Sequence, residues 1–150
     1  MAKQRHNILV LNGPNLNMLG TREPESYGFK NLSAIALECE EYASELGMAL
    51  DFRQSNSEGE IVTIIQEARE GFSGVIINAA AYGQTSLAIH DALRLLDIPV
   101  IDVQLDNVFK RDPARRASHV APLAAGVICG FGGHGYLLAL QAMRALLDEE

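Results

Sequence analysis

GVIINAAAYGQTSLAIHDALRLLDIPVIDV, residues 74–103, contains one complete unit of the fold. Gly74-Val-Ile-Ile-Asn78 is short, β-branched and apolar at successive positions, which predicts a strand buried on both faces. Ser86 to Leu96 reads as a helix, with Ser86 as its N-cap. Pro99-Val-Ile-Asp-Val103 is a second strand of the same kind. The pattern repeats in both directions. Upstream, Ile8-Leu-Val-Leu11 runs into the turn signal Asn12-Gly13-Pro14, and Met48 to Phe52 is a further strand. Helices are predicted over Leu32–Leu46, stopped by Gly47, and over Ile61–Ala68, where Ser57 and Glu60 form a capping box. Downstream, Gly126-Val-Ile-Cys129 is the fifth strand and Gly135–Leu147 the last helix. Five buried strands alternating with helices predict a parallel sheet covered on both sides, a three-layer doubly wound α/β domain spanning residues 1–150. Ligands of such sheets bind beyond the carboxyl ends of the strands. Attention therefore falls on the segments after residues 11, 52, 78, 103 and 129. The longest of the connecting stretches, Asn15 to Asn31, is polar and aperiodic, the mark of a functional lid or of a disordered segment.

A chain of 150 residues, 48% hydrophobic and 21% charged, is long enough to bury one core without staples. Its net charge of −7 argues against binding nucleic acid or an anionic membrane. Only Ile8 to Leu11 follow the basic start as an apolar run, too short for a signal peptide, and no stretch approaches a membrane span. Cys39 and Cys129 are too few for a disulfide framework and read as reduced core thiols, which points to the cytoplasm.

Gly130-Phe-Gly-Gly-His-Gly135 has the three-glycine spacing of a dinucleotide loop, but only 15 residues follow. No second βαβ half fits there, so close helix–strand packing is the better reading. No Walker lysine is present. His6, His90, His119 and His134 have no metal-ligand spacing. No cofactor or metal is expected. More telling are the polar groups after the strands: Asn15, Asn17, Arg22 and Tyr27; Asn78, Gln84 and Thr85; Gln104, Asp106 and Asn107; and Arg111, Arg115 and Arg116. An arginine beside a tyrosine favours the phenolate, a competent base toward a weakly acidic carbon.

Leu11-Asn-Gly-Pro-Asn-Leu-Asn-Met-Leu-Gly-Thr-Arg-Glu-Pro24, with Tyr27-Gly28, resembles the opening of the type II 3-dehydroquinate dehydratases. The likeness continues through Ile76-Ile-Asn-Ala-Ala-Ala-Tyr82, Thr85-Ser-Leu-Ala-Ile-His-Asp-Ala92, Ile98-Pro-Val-Ile-Asp102 and Gly126-Val-Ile-Cys-Gly-Phe-Gly, and ends in Gly135-Tyr-Leu-Leu-Ala-Leu140. The resemblance implies a flavodoxin-like fold and a homododecamer built from trimers. It also implies cofactor-free conversion of 3-dehydroquinate to 3-dehydroshikimate through an enolate. Tyr27 matches the general base and Arg22 the residue that keeps it ionised. Asn15 matches the holder of the water that stabilises the enolate. Asn78, Ala80, Ala81, Gln84, Leu105, Asp106 and Arg115 fall at substrate-binding positions, and Asp91 matches a residue that reaches a neighbouring subunit's site.

The departures lie in one place. Gly83-Gln84-Thr85-Ser86 stands where the family writes Thr-His-Thr-Ser. Gln104-Leu105-Asp106-Asn107 stands where it writes His-Leu-Ser-Asn or His-Ile-Ser-Asn. The second histidine is the family's general acid, and a glutamine can hydrogen-bond but not donate a proton in that way. Asp106 would place a negative charge beside the substrate carboxylate. Two accounts follow. In one, the chain remains a dehydroquinate dehydratase with Asp102 or Asp106 as an acid of raised pKa. In the other, the fold serves another small cyclic or keto compound as a lyase or isomerase, or binds without catalysis, with Asp106 as selector.

Overall fold

A computed structural model describes residues 5–21 and 30–149. Five strands form one parallel sheet: β1 (His6–Asn12), β2 (Met48–Gln54), β3 (Gly74–Asn78), β4 (Val100–Gln104) and β5 (Gly126–Cys129). Their spatial order is β2-β1-β3-β4-β5, the doubly wound flavodoxin-like order. The helices are α1 (Leu32–Glu45), α2 (Glu58–Glu67), the single turn α3 (Tyr82–Thr85), α4 (Leu87–Leu93) and α5 (His134–Asp148).

Successive strand residues point to opposite faces, so the central strands β1, β3 and β4 each feed two cores. Ile8, Val10, Ile76, Ile101 and Val103 pack under α1 and α5 with Cys39, Tyr136, Leu140 and Met143. Leu9, Leu11, Val75, Ile77 and Val100 pack under α2 and α4 with Ile61, Ile65, Ile89 and Leu93. The caps are as the sequence predicts. Ser57 Oγ accepts from Glu60 N at 3.1 Å, and the buried Ser86 Oγ accepts from Ile89 N at 2.9 Å. Gly47, at φ 75°, ends the turn after α1.

Three expectations need correction. The strands are not all buried on both faces. Both edge strands fall short, because no described strand pairs beyond them: in β2 only Met48 is buried and Arg53 is exposed, and in β5 Gly126 and Val127 are exposed and Ile128 and Cys129 only partly covered. The predicted helix from Ser86 to Leu96 ends at Leu93, and a separate turn, α3, precedes it. Cys129 is half-buried rather than a core thiol, whereas Cys39 is fully buried and its thiol is pushed up to about 12, chiefly by that burial. Among the described residues no helix is long and apolar enough to cross a membrane.

Register brings the strand ends together. Asn12 lies beside Gln54 on β2 and beside Asn78 on β3, and Gln104 ends β4. Four side-chain amides therefore crown the carboxyl edge of the sheet. Gly13 follows Asn12 and donates its N–H to Asn78 O at 2.8 Å. A Cβ at Gly13 would sit 2.3 Å from Ala79 O, so only glycine lets these two loops touch. Gly13→Ala is expected to cost about 1–3 kcal/mol as an overpacked contact. Chemical denaturation would register this as a lower midpoint, and an unchanged midpoint would show that the two loops separate freely.

Candidate active site

Two loops at the carboxyl edge hold unusual backbone. Asn15 and Ala80 have φ of 69° and 52°, a region that non-glycine residues seldom occupy and that clusters at functional sites. The surroundings enforce it. Asn15 N donates to Asn56 Oδ1 at 3.0 Å, and Gln54 Nε2 donates to Gly13 O and to Asn56 Oδ1, both at 3.1 Å. Ala80 N donates to Asn78 Oδ1 at 3.1 Å.

Below these loops Tyr136 of α5 is fully buried. Its hydroxyl donates to Asn12 Oδ1 at 2.5 Å and accepts from Asn78 Nδ2 at 3.0 Å, while Asn12 Nδ2 donates to Arg53 O at 3.0 Å. Burial pushes the Tyr136 phenol well above its usual range, so it is a strut that orients Asn78 and not a base. The sequence reading passed over this residue. A buried tyrosine needs a partner for its hydroxyl, and that was the available signal.

The strand ends enclose a cavity of about 230 Å³. Asn15, Asn78, Ala80, Ala81, Gln84, Gln104, Leu105, Asp106, Arg111 and Arg115 line it, with Pro14, Leu16 and Leu19. The structure thus brings together ten of the residues singled out from the sequence, nine of them with an expected place in the site. Arg22 and Tyr27 lie outside the described residues. Asp91 is exposed on α4 and is not part of this wall. A larger groove of about 540 Å³ at the opposite edge, near Gln66 and Asp97, lies before the strands begin, where open α/β sheets do not bind their ligands.

Arg111 is the member of the wall that sequence reasoning left without a role. Its Nε donates to Asp106 Oδ2 at 2.7 Å and its Nη2 to Asp106 Oδ1 at 2.6 Å, a two-pronged grip. This hydrogen-bonded cation holds the Asp106 carboxyl below its usual range. Asp106 is therefore not an acid of raised pKa, and its charge is balanced within the wall rather than left facing the cavity. Arg115 donates from Nε to Gln84 Oε1 at 2.8 Å, so its guanidinium leans on a neutral amide. Among the described residues the charged lining, Asp106, Arg111 and Arg115, sums to one positive charge, which suits a small monoanion. Asp102 does carry the raised pKa expected of one of the two acids, because burial disfavours its charge. It stands behind Gln104, however, and does not line the cavity.

The glycine run after β5 serves packing. Gly130, at φ 100°, lies against Asn107, and a Cβ at Gly133 would be 3.0 Å from Ile35. Among the described residues no group of three or more His, Cys, Asp or Glu is placed to hold a metal ion.

A doubly wound sheet with an amide-lined, arginine-bearing cavity at its carboxyl edge defines an enzyme for small polar molecules. The chain belongs to the class II dehydroquinase family, whose model matches residues 6–144, and it is a hydro-lyase of the dehydroquinase kind. It is 54% identical over 141 residues to a Mesorhizobium japonicum protein named 3-dehydroquinate dehydratase, covering 93% of this chain and 98% of that one. It is 52% identical over 143 residues to a Brucella canis protein of the same name, covering 95% and 91%. The crystal structure of type II dehydroquinase from Propionibacterium acnes superposes with a TM-score of 0.89 at 39% identity, covering 95% of this chain and 99% of that one.

Proposed function

We propose that the protein dehydrates 3-dehydroquinate to 3-dehydroshikimate. The observation that supports this reading is the cavity, which gathers the amides and Arg115 to which the resemblance gives substrate-binding roles. In this reading Tyr27, kept ionised by Arg22, removes a proton from the carbon beside the ketone. Asn15 holds the water that stabilises the enolate. Asn78, fixed by Tyr136, meets a substrate hydroxyl. Ala80, Ala81, Gln84, Leu105, Asp106 and Arg115 complete the contacts. Gln104 replaces the general acid with a hydrogen-bonding amide, so the departure of hydroxide is the slow step and turnover falls below that of a histidine-bearing relative.

The chain works in the cytoplasm as a dodecamer of trimers. The exposed Phe109, Val127 and Phe131 around the β5 edge support burial against another copy, and the exposed Asp91 serves a neighbour's site. Light scattering is expected to give twelve chain masses, and a monomeric mass would sink this assembly.

The Asp106–Arg111 pair favours one second reading, a lyase or isomerase for another small cyclic or keto compound. A paired carboxylate at that position offers less to a substrate carboxylate than a serine hydroxyl does. A steady-state assay following the enone absorbance of 3-dehydroshikimate separates the two. Turnover of 3-dehydroquinate supports the dehydratase. No turnover in the wild type and in Gln104→His would reject it.

A further inference from the structure

Asp102 is the one carboxyl buried among the described residues. It sits two residues before Gln104 on β4, so both side chains leave the same face of the strand. Gln104 Nε2 donates to Asp102 Oδ1 at 3.0 Å. A second cavity of about 220 Å³ lies behind this pair and takes in Asp102, Val127 and Cys129. Gln84, Gln104 and Arg111 line both cavities and so form the partition between them.

An amide has one donor end and one acceptor end. Whichever end Asp102 holds, the other faces the substrate side of the partition. An ionised carboxylate only accepts, so it takes the N–H end and leaves the carbonyl oxygen for the substrate. That oxygen has no hydrogen to give to a departing hydroxyl. A protonated Asp102 donates its O–H to Gln104 Oε1 instead. The amide then turns over, and its NH₂ faces the substrate.

We propose that Asp102 is a positioning residue whose protonation selects which end of the Gln104 amide the substrate meets, the donor end being presented only when Asp102 is neutral. The catalytic consequence rests on the dehydratase reading; the switch itself does not. Among the described residues the groups facing Asp102 are few. Gln104 is on its own strand, and Arg111 and Arg116 come from the loop after β4. Cys129 comes from β5, and the register partners on β3 and β5 are the apolar Ile77 and Val127. Burial raises the Asp102 pKa against the opposing pull of Gln104 and Arg111, so the turnover occurs above the ordinary carboxylate range.

Infrared titration of the wild type, with ¹³C at the glutamine side-chain amide carbon, tests the switch directly. Among the described residues Gln104 is the one glutamine whose amide bonds a carboxylate. The labelled amide band is expected to move together with a buried carboxylic C=O band as pH rises, and neither change is expected in Asp102→Asn. An amide band that stays fixed while that carboxyl titrates overturns the proposal.

Kinetics supply the second readout. An asparagine side chain carries both an acceptor and a donor, so unlike a carboxylate it no longer forces the carbonyl end outward and leaves the donor end available to the substrate at every pH. Asp102→Asn is therefore expected to raise kcat about tenfold above the titration, the worth of one hydrogen bond. It is also expected to abolish the fall in kcat as pH rises through that point, while Asp102→Leu gives no gain. A loss of kcat in Asp102→Asn equal to that in Asp102→Leu overturns the proposal. If no variant turns over 3-dehydroquinate, the dehydratase reading fails, and the infrared result still decides the switch.

Discussion

Gln104→His is expected to raise kcat on 3-dehydroquinate by on the order of 10², within the range that a positioned general acid contributes. The reaction must expel a hydroxide from an enolate, and hydroxide is a poor leaving group unless a proton reaches it as the bond breaks. The native amide offers hydrogen bonds only. An imidazole at this position would find Asp102 already in place, two residues back on the same face and within hydrogen-bond reach of the position 104 side chain. That carboxylate would orient the ring and hold its cationic form at neutral pH. Gln104 is almost fully buried, so the new ring would keep its proton away from bulk water. The sequence alone suggests adding Asp106→Ser to complete the repair. The structure argues that this second change acts elsewhere. Asp106 is already bound and balanced by Arg111, and removing it would change how that guanidinium meets the substrate. The double variant is therefore expected to differ from Gln104→His in KM more than in kcat. Equal kcat in the wild type and Gln104→His would mean that the leaving-group step does not limit turnover.

Tyr27→Phe is expected to lower kcat by about 10²–10⁴, the usual worth of a general base. The carbon acid beside a ketone is weak, and the described part of the cavity wall holds no alternative base. Asp106 is kept ionised but is spent on two hydrogen bonds from Arg111. Asp102 stands behind the partition, and Tyr136 is locked as a neutral phenol. Exchange of the substrate's α-proton with deuterated solvent isolates this step from the departure of hydroxide. The variant is expected to lose exchange together with turnover. Exchange at the wild-type rate in Tyr27→Phe would assign the base to another group.

The sheet was legible because its signal is redundant. Ile8 to Leu11 and Val75 to Ile77 are apolar at consecutive positions, which is what two-sided burial requires. The same cue misled at β5. Val127 and Ile128 look like core residues, but exposure there depends on whether a further strand or helix follows, which local pattern does not encode. The cavity wall was legible through the rule that ligands sit beyond strand ends, joined to a distinctive family resemblance. The electrostatics were not. Asp106 and Arg111 are five residues apart in an irregular segment, with no period to suggest that they meet. Once they do, the extra negative charge expected at the cavity becomes half of a neutral pair. Likewise, the separation of Asp102 from the substrate side is set by the placement of Gln104, Gln84 and Arg111, which come from three points along the chain.

The junction between Asn12 and Gly13 bears on how the molecule ages. An asparagine followed by glycine is the sequence most prone to lose its amide, because the glycine nitrogen can attack the side-chain carbonyl and close a succinimide ring. Here both reactants are engaged. The Asn12 side chain is bound to Arg53 O and the Tyr136 hydroxyl, and the Gly13 N–H is bound to Asn78 O. Ring closure would break these contacts inside a buried layer. The folded state thus shields its own weakest covalent link. A preparation that accumulates aspartate or isoaspartate at position 12 has spent time unfolded, which makes this bond a chemical clock for the protein's history.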